Sequence, residues 1–494
     1  RFFYHVCSSI HLFHPFQKEN YALLEIDVGC YTNCMQINTL LDEIRKYLSS
    51  VFYPITIALL AFLTWITPDP LVYLPASFYA LACFLPLLGK EGKCYLPLFL
   101  FEIVLPNNVS GLNGIPGEVL LTGIALILSC IVFLAVNKPK LVKGELFFSL
   151  LILVSTFLVS YLYNMIKDGS KDYRGILYIT ALYLLILLSI FFFTVLGRGE
   201  TLPYLSHSIA CLDVIITLQV ILTIVLNKQA APLEWKSFSL GWALNSTTAS
   251  TILCLSLPFL AMNTAKKKYS AIAVVLCNIV GILLISSSSG LICLLLSIVP
   301  IIFLSFRTYE NKYPYLVLIS LIVTGSILSL LIGLNHTANT NIINSLKALN
   351  PLSDIPEGRW AIYQNAISMF KENPFFGPSI ASMTKDGTIT FSSNTILTTM
   401  TFGGSLSLFA YVIFEINLYY ISLKKKTSER FLFLVFLLQL NLIGYVGDSI
   451  YLIPVFLFLM IANAVYQTSN RPNDAIVHQE FFDHFVQESN LDKR

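Results

Sequence analysis

The chain has 494 residues, 56% of them hydrophobic and only 12% charged, with a net charge of +3. A soluble domain carries roughly twice that charged fraction, so a water-soluble globule of this size would lack the polar residues to cover itself. The small net charge, with no Lys/Arg block interleaved with aromatics, excludes a nucleic-acid binder.

The apolar residues come in runs, such as 181–196 and 315–331. Crossing the roughly 30 Å hydrocarbon core takes about 20 mostly apolar helical residues. In lipid the backbone must satisfy its own hydrogen bonds, which leaves helices or closed barrels. The runs lack the alternation of barrel strands. The expected class is therefore all-α, a polytopic helical membrane protein with about 12–14 transmembrane helices and one large extracytoplasmic loop.

In chain order, residues 1–34 hold three His and three Cys without periodicity and read as a prefix upstream of a natural start at Met35. Segment 35–50 places Ile37, Leu40, Leu41, Ile44, Tyr47 and Leu48 on one stripe, with charges opposite, which predicts an amphipathic interfacial helix on the cytoplasmic side. The transmembrane domain is 51–466. Fourteen spans are predicted within it, at 51–67, 70–88, 94–106, 118–136, 145–166, 175–196, 207–226, 246–263, 269–286, 288–305, 315–333, 394–422, 430–446 and 449–466. The third is short enough to be re-entrant. A polar tail, 467–494, closes the chain.

Lys and Arg fix the expected orientation. Alternate loops hold Lys90 and Lys93, then Lys138, Lys140 and Lys143, then Arg198, Lys266 to Lys268, Arg307 with Lys312, and Lys424 to Lys426 with Arg430. The short loops between them, near 68, 107–117 and 447–448, have none. This asymmetry puts both termini in the cytoplasm and three longer loops outside: 167–174, 227–245 and 334–393. No CxxC spacing occurs, and no zinc site or disulfide framework is expected. Neither a metal nor a cofactor is called for.

The segment 354–377, DIPEGRWAIYQNAISMFKENPFFG, carries the most information. Asp354 and Pro356 are helix-start residues, and Trp360, Tyr363, Ile367 and Phe370 repeat at helical spacing. Pro374 stops the helix and Gly377 permits a turn. Arg359 then lies in the first turn, where a guanidinium fork adds to the backbone N–H groups and the positive end of the dipole. That combination suits a phosphate or pyrophosphate. The plainer alternative pairs Arg359 with Glu357 or with lipid headgroups.

The same segment, followed by SSNTILTTMTFGG, resembles the signature region of the O-antigen ligase and polymerase superfamily. The matching positions are Arg359, Trp360, Pro374, Gly377, Asn394 and Gly403, and the resemblance extends over roughly 240–420. Two positions depart from the pattern. Ser393 stands where ligases of the family carry a His, and Ser289 where a second Arg often stands. The missing His favours a polymerase over a ligase.

The resemblance implies a metal-independent inverting glycosyltransferase, a repeat-unit polymerase for O antigen or capsule, working at the outer face of a bacterial inner membrane. Its donor and acceptor are oligosaccharides on undecaprenyl pyrophosphate. Its expected partners are these lipid-linked glycans, membrane lipids and a chain-length regulator, with no nucleic acid. A ligase of the same superfamily and a lipid-linked oligosaccharide flippase are the alternatives. On this reading Arg359 is the main clamp, and Arg174 with Lys171 supplies a second clamp or is a solvated loop pair. Glu357, Asp354, Asp172 and His336 all stand open as the base. Trp360, Asn394 and Gly377 are placed at the substrate, with helix capping the competing role for Asn394. Asp213 and Glu102, ionisable residues inside spans, are further candidates that can instead hold helices together.

Overall fold

The computed structural model describes residues 39–67, 71–89, 91–105, 117–168, 174–196, 201–226, 246–265, 269–285, 290, 294, 359–382, 384–385, 388–389, 394–424, 428–446 and 450–468. The expected prefix 1–34, the spans at 288–305 and 315–333, Lys171, Glu357 and the other candidate bases lie outside these residues.

The described chain is helical throughout, apart from one two-residue antiparallel pair, β1 (Thr384–Lys385) with β2 (Thr388–Ile389). Helix α1 (Thr39–Ser49) turns by 74° into α2 (Phe52–Ile66). Then come α3 (Tyr73–Ala82), α4 (Pro86–Gly89), α5 (Tyr95–Glu102), α6 (Gly117–Asn137), α7 (Phe147–Asp168), α8 (Arg174–Val195) and α9 (Thr201–Leu226). The rest are α10 (Ser246–Ala265), α11 (Tyr269–Ile285), α12 (Arg359–Glu372), α13 (Ser379–Ser382), α14 (Thr395–Lys424), α15 (Ser428–Val446) and α16 (Ile453–Thr468).

Five described helices are long and apolar enough to cross a membrane, or six if α1 and α2 form one bent span. Five shorter apolar helices accompany them: Tyr73–Gly89, Thr248–Leu260, Ala273–Ile285, Arg430–Tyr445 and Ile453–Thr468. The expected third span is cut to the eight residues of α5, about 12 Å of helix, which is too short to cross. It is nonetheless buried from Tyr95 to Phe101, with Tyr95, Leu98 and Phe101 fully covered.

The bundle is inside out by the standard of a soluble protein. On α6 the exposed face is Leu120, Leu121, Ile124, Ile127, Leu128 and Ile131, while Glu118, Thr122 and Ser129 are buried. Lipid covers the apolar face, and the polar groups find partners inside. This is a multi-pass membrane protein.

Two helices frame the region of interest. Along α7 and α14, Phe157 packs edge-on to Phe402 at 5.5 Å, and Ser407 Oγ donates to Thr156 Oγ1 at 2.7 Å. Tyr451, just before α16, joins this cluster through Phe157 and through the hydroxyl pair with Thr399. The far end of the same pair is closed by Lys424 against Glu145 at 3.3 Å and by Asn417 on the Glu145 carbonyl. The two helices therefore run antiparallel along their full length.

Candidate active site

Helix α14 is broken inside its span. Gly403 and Gly404 leave the helical region, and Gly404 has φ +66°. A break within lipid frees backbone donors and acceptors that water cannot reach, so the fold must supply partners. They come from the turn after α12. The amides of Ser405 and Leu406 donate to the carbonyls of Pro374 (2.9 Å) and Phe375 (3.4 Å). The turn itself is closed by Gly377 N–H on the Asn373 carbonyl at 2.7 Å.

Glycine is required on both sides of this contact. Gly377 has φ +68°, and a Cβ there would lie 2.6 Å from the Gly404 nitrogen and 2.7 Å from the Met400 oxygen. A Cβ on Gly404 would collide with the Phe375 carbonyl. The backbones touch because neither carries a side chain.

Helix α7 grips the turn from the other side. Ser160 Oγ donates to the Phe376 carbonyl at 2.5 Å, and Asn164 Nδ2 donates to the Gly377 carbonyl at 3.0 Å. Asn164 Oδ1 in turn accepts from Asn373 Nδ2 at 3.3 Å, and Tyr163 stacks on Phe376 at 4.3 Å. Spaced four apart, Ser160 and Asn164 occupy one face of the helix. After the turn, Ile380 on α13 is fully buried and sits 3.5 Å from where a Cβ on Gly175 would be, in the first turn of α8.

The structure thus brings the turn 374–377, α13, the start of α8 and the first half of α14 to one end of the bundle. Arg359 and Trp360 are the first two residues of α12, and Arg174 is the first residue of α8. Gly377, expected at the substrate, is buried against the break in α14 and acts through its backbone. The Asn394 side chain caps α14, with Oδ1 accepting from Leu397 N–H at 3.1 Å and Nδ2 donating to the Tyr445 carbonyl at 3.0 Å.

The face that α12 turns to the bundle centres on Ala366, which is 3% exposed, with Met369 packed against the core. The stripe of Tyr363, Ile367 and Phe370 read from the sequence is only half-buried, beside it rather than at the contact.

Sequence reasoning did not single out Ser160, Asn164 or Asn373. The signal available was a polar pair four apart near the end of an otherwise apolar span. Of the two intramembrane candidates, Asp213 on α9 accepts from Asn278 Nδ2 on α11 at 2.7 Å, and Asn278 also reaches the Leu253 carbonyl on α10 at 2.9 Å. Glu102 accepts from Thr122 Oγ1 at 2.7 Å. Both residues therefore bridge helices.

Residues 273–395 match the family model described as O-antigen ligase. The chain is similar to that family over this segment, about a quarter of its length. The match runs from α11 through Arg359, Trp360, Pro374 and Gly377 to the first residue of α14, ending eight residues before Gly403. No curated protein matches the chain.

Proposed function

We propose that the protein is a surface-polysaccharide repeat-unit polymerase, an inverting glycosyltransferase that joins undecaprenyl-pyrophosphate-linked glycans at the outer face of the bacterial inner membrane. The observation that carries this reading is the place of Arg359. It opens a helix whose other end is locked into a broken transmembrane helix, within the segment matching the family.

In the reaction, a sugar hydroxyl of the incoming lipid-linked repeat attacks the anomeric carbon of the growing glycan. The bond from that carbon to the pyrophosphate oxygen breaks, and its electron pair leaves with the pyrophosphate. The hydroxyl proton passes to a base, for which Glu357, Asp354, Asp172 and His336 remain candidates. Negative charge grows on the leaving group, so a preorganised guanidinium at a helix N-terminus stabilises the transition state more than the ground state. Arg174, at the start of α8, supplies a second cation, and Lys171 lies three residues before it. Ser393, in place of the ligase His, supports polymerisation over transfer to a terminal acceptor.

Arg359→Ala should abolish long glycan chains while the protein stays in the membrane. Arg359→Lys should rescue poorly, because a point charge does not replace a bidentate fork. Normal chain lengths in Arg359→Ala cells would overturn the reading. A deletion strain separates the alternatives: single repeats still reach the surface acceptor if a polymerase is lost, and none do if a flippase or ligase is lost.

A further inference from the structure

We infer that Asn164 is a positioning residue for this reaction, holding Arg359 in place through the turn at the opposite end of α12. The inference rests on the polymerase reading for its consequence but on geometry for its cause.

Asn164 is 5% exposed and uses every atom of its amide on backbone or on the turn. Nδ2 donates to the carbonyls of Ser160 (2.9 Å) and Gly377 (3.0 Å), and Oδ1 accepts from Asn373 (3.3 Å). It therefore binds both ends of the 373–377 turn at once. Ser160, one helical turn away, binds the carbonyl between them.

On α12, Ile362, Gln364 and Asn365 are exposed, and the described contacts to the bundle lie at Ala366 and Met369. Arg359 is the first residue of this 14-residue helix, at the end opposite the clamped turn. At 1.5 Å per residue the lever is about 20 Å long, so a tilt of roughly 10° at the turn displaces Arg359 by on the order of 3 Å. A misplacement of about 1 Å already costs up to ~100-fold in rate.

An amide is needed because the turn presents both acceptors and a donor. Asn164→Asp keeps the size and the oxygen but replaces the N–H donors with a carboxylate oxygen facing the Gly377 carbonyl. Ser160→Ala removes the neighbouring clamp without adding charge, and serves if Asn164→Asp fails to fold.

The test measures two things on the full-length protein in nanodiscs. One is the spin-label distance between Gln364→Cys on α12 and Ile416→Cys on α14. The other is chain extension with lipid-linked repeat. Asn164→Asp should shift or broaden the distance and lower kcat about 10- to 100-fold with KM changed little, and Ser160→Ala should do the same more weakly. Arg359→Ala should lose activity with the distance unaltered.

An unchanged distance in both α7 variants overturns the inference, whatever the activity. A shifted distance with full activity also overturns it. Should Arg359→Ala remain active, the polymerase reading falls, while the distance still reports whether Asn164 seats α12.

Discussion

A methyl group at position 404 would project onto the carbonyl of Phe375, and the backbone there already occupies the left-handed region. The two effects add: positive φ costs a non-glycine residue about 1 kcal/mol, and a carbonyl fixed in a turn cannot move aside as a side chain can. Gly403, at φ −153°, carries no such backbone cost; a Cβ there meets the Ser407 hydroxyl, which can rotate at the expense of its bond to Thr156, and the Ser407 Cβ at 2.6 Å, which moves only with the helix. Gly404→Ala should therefore lower the melting temperature of the purified protein by several degrees, and Gly403→Ala by less. An unchanged melting temperature in Gly404→Ala would mean that the turn does not fill the break. Read from the sequence, 394–422 is one unbroken span, with Gly403 noted only through the family resemblance; the available signal was the Gly-Gly pair in an apolar run. The partner was not legible. Phe375 stands 29 residues earlier in the chain, and no local pattern pairs a Pro-Phe-Phe-Gly turn with a helix that has yet to begin.

At the scale of elements, the described apolar helices fall at the expected apolar runs, but their packing was not legible. Run length identifies a membrane helix because lipid demands it. Which face turns inward does not follow from hydrophobicity, since lipid is as apolar as the core. Small and polar residues mark the interior instead. This is why α12 seats on Ala366 beside its aromatic stripe, and why α5, apolar from Tyr95 to Phe101, reads as a span although it is a short buried helix. Asp213 illustrates the same logic. Read alone in a span, it suggests chemistry; in the structure its carboxylate and Asn278 tie α9, α10 and α11 together. Asn278→Leu strands the carboxylate and should destabilise the bundle, while the double variant Asp213→Leu with Asn278→Leu should recover part of the loss. A coupling of about 1 kcal/mol is the expected size for such a bond in a membrane, read from unfolding in mixed detergent. Wild-type stability in Asn278→Leu would return Asp213 to the candidates for chemistry.

For the whole molecule, the geometry fixes which described parts lie at opposite ends, and the charge pattern gives the side of the membrane expected for each. Past its break, α14 runs from Ser405, which holds the 374–377 turn, to Lys424, where Glu145 meets it, a helical length of about 30 Å. The turn and the 138–146 connection before α7 are therefore on opposite faces. Lys138, Lys140 and Lys143 lie at the Glu145 end with Lys424, and the positive-inside tendency makes the cytoplasm the expected side for that end. Glu372 and Lys140 are both exposed and report one end each. A cysteine at Glu372 should react with a membrane-impermeant maleimide in intact spheroplasts, and a cysteine at Lys140 only after permeabilisation. The described native cysteines are buried or half-buried, and Cys7, Cys30, Cys34 and Cys293 are first replaced by Ser to keep the background low. Labelling of both positions from one side would contradict the antiparallel pairing of α7 and α14. Labelling with the sides exchanged would keep the fold but turn Arg359 toward the cytosol, away from glycans delivered to the outer leaflet, and the polymerase reading would fall with it.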